Sequence, residues 1–135
     1  NLNRDPIATG WSIFKYNFAS SGNRYAHDLR EIGEFYHLYT DMMTFWREKF
    51  PGKIYDLNYE ALTEDQEGET RKLLEFCGLE WEVGCLDFHK SNRIVKTVSS
   101  SQVRKKMYKG SSRAWRKFEK HLGPLLDALA DEDTA

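Results

Sequence analysis

Lys53-Ile54-Tyr55-Asp56-Leu57-Asn58-Tyr59 is the stretch on which the fold turns. Apolar and polar residues alternate along it and β-favouring types recur, so it predicts a short strand in a chain that otherwise reads as helix. One strand cannot satisfy its own backbone N–H and C=O groups. Its sheet partners are therefore expected to be missing or to come from another chain.

Upstream of this strand, Asp5-Pro6 marks a helix start, because Asp caps free amides and Pro suits the first helical position. Ile7, Trp11, Phe14 and Phe18 follow at helical spacing and give that helix one apolar face. Ser20-Ser21-Gly22-Asn23 interrupts it as a loop. From about Tyr25 to Phe50, the residues Ile32, Phe35, Tyr36, Tyr39, Met42, Met43 and Trp46 keep helical period. This predicts the longest helix, stopped by Pro51-Gly52.

Downstream, Thr63 with Gln66 forms a capping-box pattern, and Gly78 supplies a stop for a helix over about Glu64 to Cys77. Residues 79–111 show no sustained period. Ser112 is a candidate cap for a last helix carrying Trp115, Phe118, Leu122, Leu125 and Leu129, broken at Gly123-Pro124. The expected fold class is mainly α with one or a few short strands, organised as one domain over residues 1–130 with a frayed tail at 131–135. The opening Asn1–Pro6 contains no initiator Met and enters a helix-start signal directly. Together with the unpartnered strand, it leads to the expectation of a piece of a larger protein.

With 135 residues, 40% of them hydrophobic and 14% aromatic, the chain suits a folded domain with one modest core. No apolar run approaches a membrane span and no signal-peptide pattern opens the chain. Cys77 and Cys85 sit among apolar neighbours and read as two small buried, reduced residues, which with the low cysteine content suggests a cytoplasmic protein. His27, His37, His89 and His121 show no metal-ligand spacing, so no metal site is expected.

The net charge of −1 hides an uneven distribution. Residues 90–120 carry eleven Lys and Arg against the single Glu119, while the flanking segments are acidic. A basic stretch inside an acidic chain is either a polyanion site or a solvated face.

Several residues in this frame suit a phosphorylated ligand. Arg4 offers a planar fork of donors just ahead of a helix, and Ser12, eight positions on, lies on the face below the helix start. Their axial separation of ~10 Å requires Arg4 to reach down that face. Tyr59, after the strand, could stack on a purine or be a half-buried strand residue. Ser99, Gln102, Arg104 and Lys105 supply hydroxyl, amide and cationic donors suited to a phosphate clamp, or form a solvated loop.

Taken together, Arg4-Asp5-Pro6 with Ser12 resembles the 3′-phosphate-binding motif of sulfotransferases that use 3′-phosphoadenosine 5′-phosphosulfate (PAPS). Tyr59-Glu60 before a capped helix and Cys77-Gly78-Leu79 resembles their next segment. Leu86 to Ser91, Thr97-Val98-Ser99, Gln102-Val103-Arg104, Tyr108 and Trp115 to Glu119 continue the order. The pattern is similar to bacterial sulfotransferases, including those joined to tetratricopeptide repeats, and to tyrosylprotein sulfotransferases.

The resemblance implies the C-terminal part of an α/β P-loop-type sulfotransferase fold. PAPS, or its product adenosine 3′,5′-bisphosphate, is the implied co-substrate. Arg4 and Ser12 would meet the 3′-phosphate, Tyr59 the adenine, and Ser99, Gln102, Arg104 and Lys105 would close over the nucleotide. Ser20–Tyr25 resembles an acceptor-facing loop.

Three departures qualify the likeness. The Gly-rich phosphosulfate loop and the catalytic base have no counterpart in residues 1–135, so no catalytic residue is assigned and the isolated chain is expected to be inactive. Lys106 stands where Pro is common, and Ala114 where a basic residue usually precedes the Trp. The expected partners are the nucleotide and a hydroxyl or amine acceptor, with no membrane and possible self-association through exposed faces. Nucleic acid is not the expected partner. The rival reading is a non-catalytic helical module whose residues 90–120 bind an acidic partner or nucleic acid.

Overall fold

The computed structural model describes residues 1–16, 18, 21–90 and 104–131. Among these, helix dominates, and the sheet is a two-stranded parallel ladder. The chain divides into two units, one of Asn1–Asn3 with Tyr55–Lys109 and one of Arg4–Ile54 with Gly110–Ala135.

In the first unit, β1 (Leu2–Asn3) pairs with β2 (Leu57–Asn58), Leu2 opposite Leu57 and Asn3 opposite Asn58. The expected strand is thus present but shorter than 53–59. Among the described residues its partner is the start of the same chain, where the sequence predicts a missing or foreign strand. The Asn1 amino group donates to the Tyr55 carbonyl at 2.9 Å, and Leu57 N–H donates to the Asn1 carbonyl at 2.9 Å. The Asp56 carboxylate accepts from the side-chain amides of both Asn1 and Asn3, at 2.7 and 3.2 Å. Those bonds tie down a ladder too short to hold its register by apolar alternation alone.

Tyr59 does not extend β2. It opens α3 (Tyr59–Glu64), capped by the Asn58 side chain, which accepts from Ala61 N–H at 2.7 Å. The helix expected over 64–77 is α4 (Gln66–Phe76), and its cap is Asp65, which accepts from Gly68 N–H at 2.9 Å. Thr63, the expected cap, instead turns its hydroxyl onto the Glu60 carbonyl at 2.8 Å, inside α3. Gly78 ends α4 with φ +66°, while Gly78 N–H reaches Glu75 C=O and Leu79 N–H reaches Leu74 C=O. This paired closure requires a left-handed residue, which glycine adopts without a Cβ clash. Cys77 is exposed and Cys85 half-buried, so the expectation of two buried cysteines does not hold.

In the second unit, α1 (Pro6–Phe14) starts as the sequence indicates, with Asp5 accepting from Ala8 N–H at 2.6 Å. A 3-10 segment follows at Ser21–His27, and then α2 (Leu29–Lys49), the longest helix. It starts four residues later than expected, because Asp28 accepts from the amides of Arg30 and Glu31 at 2.8 and 3.1 Å and fixes the first turn there. The final expected helix divides into a 3-10 segment, Ser111–His121, and α5 (Gly123–Ala130), with Pro124 in the first turn of α5.

The core lies where α5 crosses α1 and α2. Leu122 and Leu125 are fully buried, with Ala8, Ile32 and Ala128 around them. Two glycines permit that crossing: Gly10 faces Leu125 and Gly33 faces Ala128. The His37 ring nitrogen Nε2 lies 2.8 Å from the Ala128 carbonyl and bonds α2 to α5. Along the other side of α2, Phe35, Leu38, Met42, Phe45 and Trp46 remain exposed.

Candidate functional site

The local chemistry of Asp5-Pro6 fixes the start of α1, and this places Arg4 immediately ahead of its first turn. The Asp5 carboxylate is occupied by Ala8 N–H, and the Asp5 carbonyl accepts from the Thr9 hydroxyl at 3.0 Å. Arg4 itself is half-buried, and its Nε donates to Ser112 Oγ at 3.2 Å. Ser112 was the expected helix cap. The structure gives Gly110 that position, in a left-handed conformation with φ +85°, and the segment starts with no side-chain cap bond. The serine hydroxyl serves Arg4 instead.

A second contact keeps the two segments in step. The rings of Trp11 and Phe118 lie 4.6 Å apart, and Lys15 Nζ sits 5.4 Å from the Trp11 ring centre. From Arg4 to Trp11 an α-helical chain climbs ~10 Å, and from Ser112 to Phe118 a 3-10 chain climbs ~12 Å. The near match lets both contacts form with the segments running alongside each other. Residues three apart eclipse in a 3-10 helix. Ser112, Trp115 and Phe118 therefore share one row, while Arg113, Arg116, Lys117 and Lys120 are exposed.

Ser12 lies half-buried within α1, in the same unit as Arg4. The residue brought to the Arg4 guanidinium, Ser112, comes from 108 positions away and was missed as a site residue. A signal for it existed only as an Ser-Ser pair after a glycine, which resembles any cap.

Tyr59, Arg104 and Lys105 belong to the first unit. Tyr59 is half-buried at the start of α3, and Arg104 and Lys105 are exposed. Ser99 and Gln102 lie outside the described residues. Within this unit Lys109 Nζ reaches Glu64 Oε2 at 2.7 Å. In the Leu86–Ser91 stretch, Lys90 Nζ hydrogen-bonds Asp87 Oδ2 at 2.8 Å, which holds the Asp87 carboxyl below its ordinary value. The resembled acceptor-facing loop coincides in part with the 3-10 segment Ser21–His27.

As a donor set, an Arg fork ahead of a helix with the Ser112 hydroxyl beside it suits a phosphate group. Among the described residues no cluster of His, Cys, Asp and Glu is arranged to hold a metal ion, and no helix is long and apolar enough to cross a membrane.

Comparison with known proteins adds three findings. The profile of the Sulfotransferase family matches residues 1–83. A protein of Aquifex aeolicus (strain VF5), described as uncharacterized, is 41% identical over 133 residues, covering 97% of this chain. The chain spans 18% of that relative's length. No solved structure shows a significant match.

Proposed function

The chain belongs to the sulfotransferase family, and on that premise we propose that it contributes the nucleotide side of a site using PAPS as sulfuryl donor. In such transfer, an acceptor hydroxyl or amine attacks the sulfur. The bond from sulfur to the bridging phosphate oxygen breaks, and its electron pair leaves on adenosine 3′,5′-bisphosphate. A base takes the acceptor's proton. Residues 1–135 contain no Gly-rich phosphosulfate loop, so the assigned roles here are in binding.

Arg4 and Ser12 are assigned to the 3′-phosphate, and Tyr59 to the adenine. Ser99, Gln102, Arg104 and Lys105 are assigned to the remaining polar contacts. The observation that carries the reading is Arg4, held by Ser112 at the capped start of α1. A phosphate at that place meets a fixed cation and the positive end of a helix.

The test is a calorimetric comparison of adenosine 3′,5′-bisphosphate with AMP, which lacks the 3′-phosphate. The bisphosphate is expected to bind more tightly, and Arg4→Ala to weaken it roughly tenfold or more, since a charge-assisted hydrogen bond is worth about 1.5–3 kcal/mol. Equal binding of both nucleotides, unchanged in Arg4→Ala, would favour a polyanion-binding surface on residues 90–120 instead.

A further inference from the structure

Among the described residues, Ser112 is the one buried polar side chain, 8% exposed. A hydroxyl taken from water costs free energy unless it is hydrogen-bonded, and alanine would fill the same space without that cost. The usual use of a serine at the start of a helical segment is capping. Here Gly110 occupies the cap position and no side-chain cap bond forms. The Ser112 hydroxyl is instead the acceptor for Arg4 Nε, at 3.2 Å.

The point of attachment on Arg4 matters. A guanidinium is planar, so a bond at Nε fixes the rotation of the whole plane and directs the Nη1/Nη2 fork. An anion engaging that fork needs both nitrogens aimed at it, and a side chain with long rotatable stems loses entropy when it must find that aim on binding. The Trp11–Phe118 contact, with ring centres at 4.6 Å, holds the segment that carries Ser112 against α1. Ser112 is therefore supplied to Arg4 by a fixed surface and not by a mobile side chain.

We infer that Ser112 is a positioning residue, whose hydroxyl sets the orientation of the Arg4 guanidinium for the nucleotide's 3′-phosphate. This rests on the reading that Arg4 binds that phosphate. Ser112 touches Arg4 and acts through it, so its removal should alter discrimination between nucleotides and not general affinity.

Calorimetry on the full 135-residue chain, with adenosine 3′,5′-bisphosphate and AMP, tests the idea on wild type, Ser112→Ala, Ser112→Thr, Arg4→Ala and the double variant Arg4→Ala/Ser112→Ala. Ser112→Ala should weaken bisphosphate binding roughly three- to tenfold, because the freed guanidinium must then be ordered on binding, and leave AMP binding unchanged. Ser112→Thr keeps a hydroxyl and should restore most of the loss. In the Arg4→Ala background, Ser112→Ala should add nothing, since the two residues act as one unit. The Arg4 Nε–H resonance in NMR gives a second measurement: slow solvent exchange in wild type, fast exchange in Ser112→Ala. If wild type prefers the bisphosphate and Ser112→Ala keeps that preference, the positioning role is lost while the Arg4 reading stands. If wild type shows no preference, the Arg4 reading falls and takes the positioning role with it. Equal weakening of both nucleotides with a lowered melting temperature would make Ser112 merely structural and overturn the inference.

Discussion

Gly33 on α2 faces Ala128 on α5 so closely that a β-carbon placed on the glycine would stand 2.5 Å from the alanine Cβ. The helices can cross at this point because one of them has no side chain there. The His37–Ala128 bond, at 2.8 Å, lies at the same crossing.

Gly33→Ala should therefore destabilise the chain, although alanine is the better helix former by about 1 kcal/mol. The obstacle is the Ala128 Cβ, which is fixed directly to the backbone and cannot rotate aside. Overpacking of this kind costs about 1–3 kcal/mol. Gly10→Ala should cost less, because its near neighbours are the Leu125 methyls and Ile32 Cγ2, which can rotate. Thermal melts of the two variants should rank Gly33→Ala below Gly10→Ala.

Asp28→Ala removes the acceptor for the amides of Arg30 and Glu31 at the start of α2. The expected loss is about 1 kcal/mol. Hydrogen exchange should accelerate at those two amides first. Asp28→Asn, which keeps a capping oxygen, should stay close to wild type.

Gly78→Ala places a Cβ on a residue at φ +66°, where no atom crowds the added carbon. Any loss is then conformational, about 1–2 kcal/mol for a left-handed L-residue. Faster exchange of the Gly78 and Leu79 amides, which close α4, would report it. Protection equal to wild type would contradict the strain argument.

Asp87 should titrate below the ordinary 3.8, chiefly because Lys90 hydrogen-bonds its carboxylate. A depressed carboxyl stabilises the folded chain above its unfolded pKa, and that contribution fades as the pH falls through the folded value. In Lys90→Ala the carboxyl should titrate closer to the ordinary value. A carbon-detected NMR titration of Asp87 in both proteins measures the difference, and identical curves would remove the Lys90 bond as its cause.

The local events of this fold could be read from the sequence because each is decided within one helical turn. Asp5-Pro6 starts α1 and Gly78 ends α4 through contacts among near neighbours, and Gly123-Pro124 opens a new helix as its residues require. Where two local solutions competed, sequence reading chose wrongly. Thr63 and Asp65 both suit a cap, and the Asp65 carboxylate takes the amide while the Thr63 hydroxyl turns back to Glu60.

The distant pairings had no such signal. Leu2-Asn3 is too short for any periodicity, so its role as partner of Leu57-Asn58 emerges only when the two backbones meet. Ser112 carried the marks of a helix cap, and only packing of its segment along α1 turned its hydroxyl to Arg4. The sequence alone determined the helical character, the cap and stop residues and the family likeness of Arg4-Asp5-Pro6. Tertiary structure decided which residue holds Arg4, because a hydrogen bond between side chains 108 positions apart depends on where the chain brings them and not on the spacing of either one's neighbours.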